Sequence, residues 1–312
     1  MKELYSRRLH KGVIRLNQQK WLLGMIIPGF IWLVVFCYIP MYGIVIAFMD
    51  YRPSPSLFSG ALVGFKHFRA IFHDPFGIEA IVNTLIISSI KLVCLFPAPI
   101  IFALLLNEMR AQQFKKFVQS VSYLPFFISW VVMVGLLNTL LAMEGPVNTF
   151  LLNQGFIDRR IAILTIPGYF RPIAVLSDLW KGVGWGSILY LAAIASIPQD
   201  MYESAYIDGT NRLQRIIHIT LPSMMPTVTI MLIFSVAGIL GSNFDQHFLM
   251  NNAQISHVAT TIDVYVFGVG LQTGRYSYAT AINLTRSVIG FFLLFGADRF
   301  ARYISDGEQG LF

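Results

Sequence analysis

The sequence predicts an all-α membrane protein with six transmembrane helices, on the strength of its composition, its six long apolar stretches and the uneven sidedness of its basic residues. Of 312 residues, 55% are apolar, 14% aromatic and only 12% charged, against roughly 25% charged in soluble domains. The net charge of +7 is dispersed between apolar blocks instead of being gathered on one polar face, which argues against nucleic acid as a partner. The two cysteines, Cys37 and Cys94, each sit in an apolar stretch with no partner at metal-ligand spacing. Neither a disulfide framework nor a metal site is implied.

The chain opens with a basic tail over 1–20 that carries six Lys or Arg. An apolar run follows from Trp21 to about Phe48, too long for a secretory h-region of about 7 to 15 residues and therefore a retained anchor. Crossing a bilayer takes about 20 residues, and the stretches that satisfy this cover about 21–48, 81–106, 118–143, 173–197, 223–249 and 280–303. Pro28, Pro40, Pro97, Pro99 and Pro125 lie inside them; kinks are expected there, since neighbouring helices can satisfy the freed backbone groups. Segments on the side of the N-terminal tail hold 13 Lys or Arg and the opposite loops hold 7. The positive-inside rule then puts both termini, including the tail over 304–312, in the cytoplasm. No repeat or flexible linker divides the chain, so residues 21–303 read as one membrane domain.

The cytoplasmic loop over 198–222, PQDMYESAYIDGTNRLQRIIHITLP, has the grammar of a folded helix, turn and helix. Asp200 and Glu203 are spaced for a capping box, Gly209 offers a left-handed stop, and Pro222 opens the fifth span. Capping signals of this kind are common in ordinary loops as well.

The same loop resembles the EAA loop of binding-protein-dependent ABC importer permeases, with Glu203, Ser204 and Ala205 for the Glu-Ala-Ala triplet, then Asp208 and Gly209, and a closing Leu221 and Pro222. Ser204 is the departure in the triplet, a small-for-small change. The runs from Asp178 (DLWKGVGWGSILYLAAIASIPQDMYESAYIDG), from Ser242 (SNFDQHFLMNN) and from Arg275 (RYSYATAINLTRSVIG) resemble the LplB/YtcP-type branch of carbohydrate permeases, similar to those of the maltose and alginate importers. The resemblance implies a type I ABC importer permease fold in the bacterial cytoplasmic membrane, importing a carbohydrate and most simply an oligosaccharide. It also implies a second homologous permease chain, an ATPase dimer that binds ATP and Mg, and an extracytoplasmic solute-binding protein. On the same ground the loop residues named above become contacts to the ATPase, and no cofactor belongs to this chain.

Charges inside the spans are costly and normally face protein or water. The candidates are Lys91, Asp178, Lys181, Asp245 and Arg286. A structural reading pairs Asp178 with Lys181 at i,i+3 and lets Arg286 snorkel outward. A functional reading makes Asn243, Asp245 and Gln246, with Trp185 and Tyr190, contacts to sugar hydroxyls and ring faces, with Lys91 and Arg286 on the same path. Gly182 and Gly186 form a small-xxx-small pair suited to helix contact.

No Walker A run, H-E-x-x-H, G-x-S-x-G or His/Cys cluster occurs, so any ATP hydrolysis belongs to another chain. A membrane-embedded enzyme using Asp178 or Asp245 would need a partner acid that the sequence does not supply. An ion-driven transporter would be expected to show two repeated halves.

Overall fold

The computed structural model describes residues 19–53, 60–241 and 243–304; the basic tail over 1–20 and the tail over 304–312 fall almost entirely outside them. Within the described residues every regular element is a helix, save one isolated antiparallel bridge between Met49 and Leu62.

The first span starts as α1 (Lys20–Leu33) and continues through a π-helical stretch, Val34–Tyr38, into a 3-10 stretch, Ile39–Phe48. Pro40 lacks the N–H that would bond the Phe36 carbonyl, and the change of helix type absorbs that loss. Trp21, Met25, Phe30 and Tyr42 all point outward and are more than half exposed. The 3-10 stretch packs on the last helix.

After the short α2 (Lys66–Ile71), the second span runs as α3 (Pro75–Leu95) and α4 (Pro97–Asn107). It begins earlier than the 81 expected because Asp74 caps it, accepting from the Phe76 amide at 3.2 Å, and Pro75 fits the first helical turn. Pro97 and Pro99 mark the junction of α3 and α4.

The third span differs most from expectation. The stretch over 118–143 is not one helix: α5 (Gln112–Tyr123) passes into a 3-10 turn, Leu124–Phe127, the chain extends through Ile128 and Ser129, and α6 (Trp130–Leu141) starts anew. Pro125 cannot continue the α5 ladder, while the Ser129 side chain accepts from the Val132 amide at 3.3 Å and so starts α6. Then α7 (Pro146–Asn153) is tied to the following loop by fully buried Asn148, which donates to the Ala142 and Ile161 carbonyls at 2.8 and 2.9 Å.

The fourth span is α8 (Pro167–Ala195), 29 residues long. A loop unit follows, α9 (Gln199–Ile207) and α10 (Arg212–Arg215), and the latter runs on through a π stretch, Ile216–Thr220, into α11 (Leu221–Ala237). Thus Pro222 does not open the fifth span; it lies inside a continuous helix, Arg212–Ala237. The π stretch accommodates its missing bond to His218. That helix stops at Ala237, short of the expected 249, because Gly238 and Gly241 are poor helix formers. A separate helix, α12 (Phe244–Met250), holds the residues assigned to its far end. The chain closes with α13 (Ser256–Ala259), α14 (Ile262–Phe267) with a π stretch, Gly268–Gln272, and α15 (Tyr276–Ile304).

Among the described residues, five stretches are long and apolar enough to cross a membrane: Gly24–Phe48, Pro75–Asn107, Trp130–Asn153, Arg212–Ala237 and Tyr276–Arg299. The α8 helix has the length, but Arg171, Asp178 and Lys181 lower its hydropathy, and it lies among the others. The side bearing α9 is here the loop face, the other the far face. One apolar cluster on the far side joins Trp130 and Val134 of α6 to Phe170, Ala174, Met250 and Ile255. A second, towards the loop face, joins Ile100 and Ala103 to Tyr190, Ile194 and Met224. In lipid these clusters gain from close packing more than from escape from water.

The far ends of the second and last spans meet at Asp74. Its carboxylate accepts the hydroxyls of Tyr265 and Tyr278, the latter at 2.7 Å. Burial pushes the Asp74 carboxyl up, but those hydroxyls and the amides of Gly77 and Phe76 outweigh it and hold the group below its ordinary range. Because the folded value is the lower one, this stabilisation is full above the ordinary carboxylate range and is lost as pH falls through the folded value. Asp74→Asn is expected to cost about 1–3 kcal/mol and to flatten the acid limb of the stability profile. Thermal unfolding of the full chain in detergent as a function of pH checks this.

Candidate functional site

The loop unit is built by local chemistry. Helix α9 ends at Ile207 with Asp208 as its C-cap, and Gly209 takes φ +74, the left-handed stop read from the sequence. The Thr210 amide and hydroxyl then donate to the Ala205 carbonyl at 3.1 and 2.6 Å. The expected capping box of Asp200 and Glu203 does not form: Pro198 occupies the N-cap, and Asp200 sits in the first turn. The box belongs instead to Asn211 and Gln214, whose side chains and amides bond reciprocally at 2.8 and 2.9 Å and start α10. Tyr202 meets Thr220 at 2.9 Å and Arg215 donates to the Thr210 carbonyl at 2.8 Å, so α9 is held against the root of the fifth span. Ala205 is buried, while Glu203, Ser204, Asp208 and Gly209 are exposed. Met201, Tyr206, Ile207 and Leu213 present apolar surface, Ile207 being 83% exposed.

The charged residues of the spans meet partners on other helices. Lys91 of α3 pairs with Asp178 of α8 at 2.8 Å and donates to Gln246 Oε1 at 2.6 Å. Gln246 Nε2 donates in turn to the Ala174 carbonyl at 2.7 Å and to Ser177 Oγ at 3.0 Å. His247 Nε2 lies 3.4 Å from Lys91 Nζ, while its Nδ1 is buried without a hydrogen-bond partner. Three elements, α3, α8 and α12, are thereby cross-tied through side chains that are mostly buried.

The i,i+3 pairing of Asp178 with Lys181 is therefore overturned, because Asp178 reaches across to Lys91 and Lys181 turns to carbonyls of the third span. Nor does Arg286 snorkel: its guanidinium pairs with Asp263 on α14. Of the residues assigned to a solute path, Gln246 is fully buried and Tyr190 is 4% exposed inside the second apolar cluster, so neither faces open space. Trp185 stacks on Phe126 at 4.5 Å. Asp245 is exposed and Asn243 half-buried on α12.

Lys91 and Arg286 do border open space. A cavity of about 200 Å³ is lined by Ser88, Lys91, Ser235 and Gly238, and one of about 510 Å³ by Gly238, Asn283, Arg286 and Ser287. Both include Gly238 and Gly241, so they converge on the turn that ends the fifth span. Sequence reasoning missed His247, Ser177 and Asp263 as members of these groups. A Gln-His pair within an apolar run was the available signal for the first of them.

The family model for the binding-protein-dependent transport system inner membrane component matches residues 95–305. The chain belongs to that family. This permease is a multi-pass protein of the inner membrane and a transport subunit. It is 38% identical to Protein LplB of Bacillus subtilis (strain 168) over 95% of its own length and 92% of that protein's. It is 40% identical to the polygalacturonan/rhamnogalacturonan transport system permease protein YteP of the same organism, over 96% and 92%. A chain in the crystal structure of a bacterial alginate ABC transporter, in complex with an alginate pentasaccharide-bound periplasmic protein, superposes with a TM-score of 0.87 at 37% identity, covering 95% of the permease and 98% of that chain. The type I ABC importer permease fold follows.

Removing one partner of a buried pair leaves the other charge uncompensated, at a cost of about 3–5 kcal/mol. Lys91→Met or Asp178→Leu alone is accordingly expected to lower the thermal unfolding midpoint of the permease in detergent sharply. The double variant Lys91→Met/Asp178→Leu is expected to recover most of the loss, and a double-mutant cycle measures the coupling.

Proposed function

We propose that this permease forms half of the membrane pathway of an ATP-driven importer that takes up an oligosaccharide handed over by an extracytoplasmic binding protein. The observation that carries this reading is the loop unit: a capped helix with apolar side chains exposed at Tyr206 and Ile207, yet locked by Tyr202 and Arg215 to the fifth span. Such a unit is suited to docking in a cleft of another protein and to passing its movement into the membrane without bending. The names of YteP and of the alginate transporter chains, both concerned with polysaccharide, support a saccharide as the solute.

In this reading an ATPase dimer binds ATP with Mg, and this chain holds no cofactor. Glu203, Ser204, Ala205, Asp208 and Gly209 form the seat, and Leu221 and Pro222 carry its motion into the fifth span. A second homologous permease chain completes the pathway. Both termini lie in the cytoplasm, following the excess of Lys and Arg on that side. Closure of the ATPase pair pushes α9, turns the fifth span and reshapes the two cavities that converge on Gly238 and Gly241. Lys91 and Arg286, which line those cavities, are placed to meet a solute there, and Asn243 and Asp245 follow in the chain just after Gly241.

Pull-down of the tagged chain from gently solubilised membranes, with mass spectrometry of what is retained, tests the assembly. Recovery of a second six-span permease and a Walker-motif ATPase supports the reading; a folded, monodisperse chain alone overturns it. Within the assembled importer, Gly209→Val forces a β-branched residue into a left-handed conformation that costs an L residue roughly 1–2 kcal/mol, and Glu203→Lys reverses a charge on the seat. Both are expected to leave the complex assembled while reducing, by about tenfold, the stimulation of ATP hydrolysis by the loaded binding protein. Full stimulation in both variants counts against α9 as the coupling element.

A further inference from the structure

We infer that the main-chain carbonyls at the break in the third span form a cation site filled by the chain's own Lys181 ammonium, and that this clasp positions the far half of the permease across a hinge level. The inference is independent of which solute is carried.

The chemistry starts from the break. Where the 3-10 turn Leu124–Phe127 gives way to extended backbone at Ile128 and Ser129, amides run short: the Pro125 carbonyl accepts the Ile128 amide at 3.1 Å, while the carbonyls of Phe126 and Ile128 are left to side chains. Inside a membrane an orphaned peptide group is expensive. Lys181 Nζ donates to the carbonyls of Pro125 at 3.3 Å, Phe126 at 2.7 Å and Ile128. An ammonium has three N–H donors, and three oxygens receive them. The rings of Phe126 and Trp130 lie 5.6 and 5.7 Å from Nζ and add their faces to the same charge. The nearest carboxylate along the helix, Asp178, is committed to Lys91 at 2.8 Å. A full positive charge is thus held chiefly by backbone dipoles, as unwound carbonyls hold a monovalent cation in other membrane proteins.

Three irregularities lie at the level of this clasp. Gly184 of α8 faces the Ser122 carbonyl so closely that a Cβ would stand 2.1 Å from it, and a Cβ on Gly186 would stand 3.0 Å from Pro99. Trp185, between these glycines, stacks on Phe126 at 4.5 Å and meets Phe127 edge-on at 5.6 Å. Hence the proline junction of the second span, the break of the third and the glycines of the fourth lie side by side. Gly182 of the expected small-residue pair meets nothing within 4 Å, so the close approach uses Gly184 and Gly186 instead.

The two apolar clusters lie on opposite sides of that level, Trp130, Met133, Phe170 and Met250 beyond it and Ile100, Tyr190, Ile194 and Met224 before it. Helix α6 starts at the clasp and packs on α12, the helix cross-tied to Lys91. Fixing the start of α6 therefore fixes the far cluster relative to the near one.

The test uses the full chain purified in detergent, with amide hydrogen exchange and thermal unfolding as readouts and methylammonium as the probe. In Lys181→Ala the three carbonyls face a space that methylammonium fits and tetramethylammonium, lacking N–H, cannot satisfy. Exchange over residues 128–141 is expected to quicken about tenfold or more, with Tyr190–Ile194 and Met224 unchanged. Methylammonium is expected to restore the native rates and tetramethylammonium to leave them raised. Lys181→Met, which fills the space with an apolar chain, is expected to show the same local loosening with no response to either salt. Unchanged exchange in the alanine variant, loosening spread evenly over both clusters, or equal rescue by both salts overturns the proposal. If alanine does not fold, Lys181→Gln keeps donors without charge: rates between native and methionine values support the site, and native rates refute the need for a cation.

Discussion

A peptide group in hydrocarbon has no water to turn to, and that constraint decides where this chain is regular and how its irregular places are repaired. At Pro40 and Pro222 the repair stays within one helix, by π or 3-10 turns that redistribute bonds around the missing N–H. At Ile128 the gap is too large for that, and another helix lends Lys181. At the far face Asn148 stands in for a neighbouring strand, binding the backbone on both sides of its loop.

The same economy governs the charges. Three ionised side chains in the spans reach a different element, Lys91 to Asp178, Arg286 to Asp263 and Lys181 to the third span, whereas Asp298 pairs with Arg302 along its own helix. Pairing along one helix would satisfy the charges but join nothing. Pairing across helices substitutes for the hydrophobic force that lipid does not supply between them. The cost is a set of contacts in which each partner is left stranded if the other is lost, which makes the region around Lys91 a poor place for neutral drift.

These ties divide the permease into a near part, rooted in the loop unit, and a far part, held to it through the fourth span. The loop unit is stiff because every element in it is closed by side-chain or backbone bonds, from Thr210 on Ala205 to the box at Asn211 and Gln214. The turn at Gly238 and Gly241 lies at the end of the fifth span and beside both cavities. A push delivered at α9 thus reaches open space through one helix, Arg212–Ala237, that is continuous despite its prolines.

Much of this was written in the order of residues. Hydropathy over windows of helical length reveals a multi-span helical protein because burial in lipid acts on local composition alone. The stop at Gly209 was legible for a similar reason, since a left-handed turn is decided within a few residues. What the tertiary structure alone decided is partnership: that Asp178 prefers Lys91, far away in sequence, over Lys181 one turn along its own helix, that Gln246 and Tyr190 turn inward, and that the box falls on Asn211 instead of Asp200. Local sequence states what each side chain can bind. Only the packed helices determine which partner arrives within about 3 Å, the distance at which a hydrogen bond forms.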